Sequence, residues 1–367
     1  MNRIILIGNG FDLAHGLKTS YANFFYWYWT QRRRELINEY SKISEDPLCK
    51  LTTLDNNAWS ISSYSDFIYC YNDGKKIFEE LQNKEKYLLE LSSLFDRICK
   101  SVETKGWVDI ENEYYGLLKK FALEEDNETK VKKLNEQLQF IQDKLVEYLS
   151  WVNKIEVKPI ESIKSAINAP FMRSNISVEG QQALDVHKGT INWEREFPLL
   201  PDIIMLLNFN YTKTAELYCP NDKHSFSINQ IHGEVAKPES VIFGYGDEMD
   251  EKYKELVNKN DNLLLGNIKS IKYLEADNYR KMLEFIEADH YQVCIMGHSC
   301  GNSDRTLLNT LFEHRNCVSI KPYYYKKKDG TDNYLDLVQN ISRNFNDMKL
   351  MRDRVVNKKY CKPLTEP

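Results

Sequence analysis

The chain has 367 residues, 42% hydrophobic and 28% charged, with a formal net charge of −5. That balance describes a soluble globular protein with no general attraction to DNA or RNA, so no nucleic-acid partner is expected. No apolar run reaches the roughly 18 residues of a membrane span, so no membrane partner is expected.

The opening apolar run is too short for a signal peptide, and Asp12 follows it closely. The eight cysteines are Cys49, Cys70, Cys99, Cys219, Cys294, Cys300, Cys317 and Cys361. None forms a Cys-x-x-Cys pair, and together they read as the reduced thiols of a cytoplasmic protein. The seven histidines lack zinc-ligand spacing, and no metal is expected.

In chain order, residues 3–7 form a β-branched apolar run of strand length that stops at Gly8-Asn9-Gly10. Glycine there permits positive φ and leaves room for a phosphate at a helix N-terminus. Gly16 follows, then an aromatic helix over 21–34 that is expected to pack against the sheet, its rings read as core packing in preference to base stacking. Residues 41–66 are polar, contain Pro47 and read as loop. Residues 75–100 read as helix. Asp109 is a candidate helix cap that would bring Asp109 and Glu113 to one face, best read as a solvated helix start. Val131, Leu134, Leu138, Ile141, Leu145 and Leu149 form an amphipathic helical stripe. Residues 155–200 carry several prolines and read as a lid or connector.

Strand character returns at 203–207, which ends in Asn208-Phe209-Asn210-Tyr211-Thr212. A strand over 227–231 ends in His232-Gly233. Another over 241–243 ends in Gly244. Helices are expected over 250–288, 303–315 and 334–345, with strands at 291–296 and 318–325. The strand at 291–296 opens into Gly297-His298-Ser299-Cys300-Gly301-Asn302-Ser303-Asp304.

A unit of strand, polar motif and helix thus recurs about four times. Apolar strands of this kind are buried on both faces of a parallel sheet, and their carboxyl-end loops gather into a ligand crevice. The expected fold is α/β: a Rossmann-like, mostly parallel sheet flanked by helices. Its domain is formed by 1–24 plus 200–348. A large α-helical insertion occupies 25–199, and 349–367 is an exposed, basic C-terminal arm.

Three readings of the polar motifs stand side by side. Gly297-His298-Ser299-Cys300-Gly301 fits a nucleophile elbow, which would make Ser299 the nucleophile of a serine hydrolase. Only His314 follows it, and no His-Gly-Gly-Gly segment is present. In a nucleotide-cleaving site, phosphates would sit on the N–H groups after Gly8 and Gly10. Asn210 would position a carboxamide, ribose or water, and His232, titrating near neutrality, would serve as base. A nucleotide-sensing module would use the same glycines without chemistry.

The motifs Gly8-Asn9-Gly10-Phe11-Asp12 through Tyr21, Trp107 through Glu111, Asn208 through Thr212, Ile231-His232-Gly233, Gly297 through Asp304 and Val355 through Lys358 resemble the AbiH family of bacteriophage abortive-infection proteins. Scattered motifs also resemble the sirtuins: the Gly8 to Gly16 spacing, Asn208 through Thr212, His232-Gly233, Phe243-Gly244 and Gly297 through Ser299. That resemblance implies a sirtuin-like core in which Asn210 and His232 form the catalytic pair. Gly8, Gly10, Gly297 and Ser299 would contact NAD phosphates and the adenosine ribose, with Asn9 and Phe11 in the same turn. Asp12 and Asp304 would be ribose or nicotinamide contacts, or else turn caps. Thr212 stands where sirtuins usually have Asp, and Asn9 replaces the Ala of their turn. No zinc module fits between Gly233 and Val241, which argues against protein deacylation. The implied activity is hydrolysis of NAD, as substrate, at its nicotinamide–ribose bond. NAD or a related nucleotide, a phage-derived trigger and a second copy of the chain are the partners that fit such a role.

Overall fold

The computed structural model describes residues 1–38, 42–54, 74–105, 108–124, 127–187, 199–220, 225–246, 248 and 250–366. Trp107 and residues 55–66 lie outside them. Eight strands occur among the described residues: β1 (Asn2–Ile7), β2 (Ile43–Glu45), β3 (Cys49–Thr53), β4 (Tyr87–Leu91), β5 (Ile204–Asn208), β6 (Phe226–Gln230), β7 (Tyr291–Met296) and β8 (Cys317–Tyr323). Five of them form a parallel sheet in the order β6-β5-β1-β7-β8. The chain winds from β1 outward to β6, then crosses back and winds outward through β7 to β8. The winding therefore reverses between β1 and β7, the position at whose carboxyl ends α/β sheets bind their ligands.

Alternation along β1 explains its position. Ile4 and Leu6 pack on one face with Val293 and Ile295, while Ile5 and Ile7 pack on the other with Leu206 and Cys294. A strand whose two faces both meet protein is apolar on both of them, as Ile4 to Ile7 are. All six residues of β1 are buried. Each large aliphatic side chain among them stabilises the fold by roughly 1.5–3 kcal/mol. Helices Asn278–Ala288, Arg305–Glu313 and Tyr334–Ser342 cover the first face through Met282, Ile286, Leu308, Leu311 and Ile341. Helices Asn9–Ala14 and Glu161–Ile167 cover the second through Phe11, Ile163 and Ile167.

The described chain divides into two compact units. One comprises Met1–Lys18, Leu149–Glu255 and Asn267–Pro367, and the other Thr19–Tyr148 and Leu256–Gly266. Residues 149–187, expected within the insertion, belong to the sheet's unit. There Phe171, Ile176 and Leu184 pack with Met1 and Val318. The C-terminal segment, expected as an exposed arm, is packed as well. Val356 N–H donates to the Ile320 carbonyl and Leu364 N–H to the Tyr324 carbonyl, both at 2.9 Å, and both side chains are buried.

The aromatic helix, expected to pack against the sheet, belongs instead to the second unit and forms its core. Phe25, Tyr28 and Trp29 of helix Tyr21–Asn38 are buried against Phe78 and Phe95. The stripe from Val131 to Leu145 is the buried face of helix Asn127–Val152. Asp109 caps helix Ile110–Phe121, accepting from the Asn112 N–H, and Glu113 accepts from Ser101.

Three element assignments need correction. Residues 43–53, read as loop, form β2 and β3 of a small antiparallel sheet. Residues 75–100 are not one helix, because β4 separates helix Gly74–Leu81 from helix Ser93–Lys105. The leucines of β4 suit either period, and pairing with β3 decides between them. Residues 241–243 form no strand. They are buried beside the His232 carbonyl, which accepts from the Ile242 N–H.

Candidate functional site

Gly8 caps helix Asn9–Ala14 with an extended backbone, φ −129°. Gly10 lies within that helix, so neither glycine is there for positive φ. Their role is close approach. A Cβ on Gly8 would lie 2.5 Å from His298 Cα, and one on Gly10 would lie 2.9 Å from Gly297 Cα. Gly10 N–H donates to the Gly297 carbonyl at 2.9 Å, and Phe11 N–H to the Gly8 carbonyl at 2.8 Å. The room expected for a phosphate beside Gly8 and Gly10 is thus filled by the 297–298 backbone, and the Gly10 and Phe11 N–H groups are already bonded within the protein. Gly297 does adopt φ +80°, and a Cβ there would meet Phe11 N at 2.1 Å. Gly297→Ala is expected to cost about 3 kcal/mol or more, from left-handed strain plus overpacking. Urea unfolding measures this.

The motif after β5 folds back on the same turn. Asn208 Oδ1 accepts from the Asn210 N–H at 3.1 Å, and Asn208 Nδ2 donates to Gln230 Oε1 at 2.7 Å. The turn so formed aims Asn210 Nδ2 at the Gly8 carbonyl, 3.0 Å away. Asn210 Oδ1 makes no hydrogen bond among the described residues. Thr212, which departs from the sirtuin pattern, donates to Asp12 Oδ2 at 2.6 Å. Asp12 is 1% exposed, and its Oδ1 has no hydrogen-bond partner among the described residues. Burial raises the Asp12 carboxyl, opposed by the Thr212 and Thr214 hydroxyls.

His232 lies in a second cluster. Its Nε2 is 3.0 Å from the Tyr273 hydroxyl and 3.4 Å from Asp304 Oδ1. Lys269 Nζ donates to Asp304 Oδ1 at 2.8 Å, and His298 Nε2 is 3.5 Å from Asp304 Oδ2. His298 Nδ1 accepts from the Cys300 N–H, which leaves Nε2 to carry that ring's proton toward Asp304. Phe209 joins the clusters. Its ring contacts both imidazoles, and its N–H donates to the Ile7 carbonyl.

The electrostatics correct one expectation. His232 does not titrate near neutrality. Burial, then the Lys269 charge, push it down to about 3, against Asp304, which favours protonation. Burial alone would raise Asp304. Lys269, followed by His232 and His298, outweighs burial and holds the carboxyl well below the usual range.

Of the expected site residues, Gly8, Gly10, Phe11, Asp12, Asn210 and Gly297 meet at one turn. His232 and Asp304 meet behind Phe209. Asn9 is exposed on the first helix. Ser299 is exposed too, and its side chain takes no histidine partner among the described residues. The left-handed non-glycine residue of that loop is Cys300, φ 54°, where a nucleophile elbow would need Ser299. Lys269, Tyr273 and His298 were not expected in the site. Among the described residues, no three His, Cys, Asp or Glu side chains are grouped to hold a metal ion, and no helix is long and apolar enough to cross a membrane.

A five-stranded parallel sheet with polar groups gathered at the carboxyl ends of its central strands defines an α/β protein with a crevice-edge site. Within that class the chain belongs to the AbiH family: the family model described as "Bacteriophage abortive infection AbiH" matches residues 4–325. Membership places its role in abortive infection against bacteriophage. A search of curated proteins finds no match.

Proposed function

We propose that this chain is an abortive-infection effector that hydrolyses NAD at the nicotinamide–ribose bond. The observation that carries the reading is the 3.0 Å hydrogen bond from Asn210 Nδ2 to the Gly8 carbonyl. It joins the opening turn to a motif two hundred residues later, at the edge where α/β sheets bind nucleotides.

In this reading water adds to C1′ of the nicotinamide ribose as the C–N bond breaks. The pair of electrons leaves with nicotinamide, ADP-ribose forms, and the water's proton passes to solvent. Asn210 Oδ1 accepts from that water or from a ribose hydroxyl. Asp12 Oδ1, buried and without a hydrogen-bond partner among the described residues, suits a second ribose hydroxyl. His232 takes part as a neutral hydrogen-bonding ring, because a group pushed down to about 3 is a weak base at pH 7.

The test is nicotinamide release from NAD by purified protein, alone and in extract from phage-infected cells. Asn210→Ala is expected to slow release about a hundredfold by misplacing the water. An NAD pool left intact by wild type in both settings overturns the reading.

The burial of His232, 4% exposed, favours a second reading: a module that binds the nucleotide without turnover. ADP-ribose binding with no nicotinamide released would decide for it.

A further inference from the structure

Lys269 stands outside every motif, yet it is one of the most deeply buried side chains of the sheet's unit, 1% exposed. An ammonium is kept in such a place only when paired, and Asp304 Oδ1 pairs it at 2.8 Å. The lysine is held there by its backbone. Its N–H donates to the Tyr245 carbonyl at 2.9 Å, and Gly246 packs against its side chain closely enough that a Cβ would lie 3.1 Å from Lys269 Cβ.

The same carboxylate faces both imidazoles. The groups around His232 are Asp304 and His298 from the loop after β7, Lys269 and Tyr273 from the segment 269–275, and Phe209 and Tyr211 from the loop after β5. Only Lys269 and Asp304 carry compensating charges in this set. Without the lysine, the nearest proton acceptor able to balance Asp304 is His232 Nε2, at 3.4 Å.

We propose that Lys269 is a positioning residue of this site: by neutralising Asp304 it keeps the His232 ring uncharged, with Nε2 turned to Tyr273. Its link to catalysis rests on the proposed function, since only there does His232 act on a substrate. The charge relation itself stands apart from any reaction.

The test is the titration of His232 by NMR of the full chain carrying ¹⁵N-labelled histidine, with His232→Asn to assign the resonance. In wild type His232 stays neutral from pH 8 to pH 5. In Lys269→Met it takes up a proton with a midpoint raised by about two units or more, as expected when an opposite charge loses its competitor. Lys269→Arg, which restores the cation, returns the midpoint toward the wild-type value. A Lys269→Met protein that is folded, by its dispersed spectrum, and whose His232 titrates as in wild type overturns the proposal. If Lys269→Met does not fold, Asp304→Asn serves in its place. It removes the charge that would draw a proton, so His232 must stay neutral with the lysine present, and a raised midpoint there also overturns the proposal. Nicotinamide release, measured separately on wild type, reports on the proposed function alone.

Discussion

Asp304→Ala lowers the unfolding free energy by about 3–5 kcal/mol, the range for stripping a buried ion pair of one partner. The reason lies in what remains. Lys269 stays 1% exposed with its principal acceptor gone, while the two imidazoles that faced the carboxylate offer it no negative charge. Asp304→Ala combined with Lys269→Met recovers most of the loss, because the cost belongs to the stranded ammonium. Urea unfolding of wild type, both single variants and the double variant closes the cycle. Additive losses in the double variant would show that the two side chains do not act as a pair.

Acidification from pH 6.5 weakens the fold through His232. The folded ring is pushed from 6.5 down to about 3, so the unfolded chain binds this proton first. Stability therefore falls as pH falls through that window, by about 1.4 kcal/mol per pH unit, reaching roughly 4 kcal/mol near its lower end. Asp304 acts with the same sign in a lower pH window. Its folded carboxyl is held low, so its contribution is in place above the unfolded carboxylate value and is lost only as pH falls through the folded one. Between pH 4 and 6.5 the two are separable. His232→Asn should flatten the dependence of unfolding free energy on pH relative to wild type, and parallel curves would count against a neutral buried ring.

Much of the sheet could be read before any coordinates. The stretches 4–7 of β1, 204–207 of β5 and 293–296 of β7 are apolar at every position because both faces meet protein, and such runs stand out from their surroundings. Their carboxyl-end motifs were legible for the same reason, since Gly8, Asn210, His232 and Gly297 each sit just past a strand. What the motifs touch was not legible. The glycines of the opening turn suggest space for a ligand, and the space is occupied by the backbone at 297–298. Lys269 looks like one more solvated charge in a charged helical stretch, and only packing against Gly246 and Asp304 reveals it as buried. Likewise β4 carries leucines that fit two periods, and its pairing partner lies more than thirty residues away.

The rims of the parallel sheet have a further consequence for the protein's behaviour in concentrated solution. An open outer strand offers a row of amides and carbonyls to any passing chain and so seeds aggregation. Here the outer side of β8 is occupied by backbone from Ser177, Val356 and Leu364, and the opposite rim at β6 is hooked by Asn278, whose side chain bonds the Gln230 carbonyl. Trimming the chain back from its carboxyl end would uncover an apolar strand, and the first symptom should be self-association, ahead of any change at the carboxyl-end edge of the sheet.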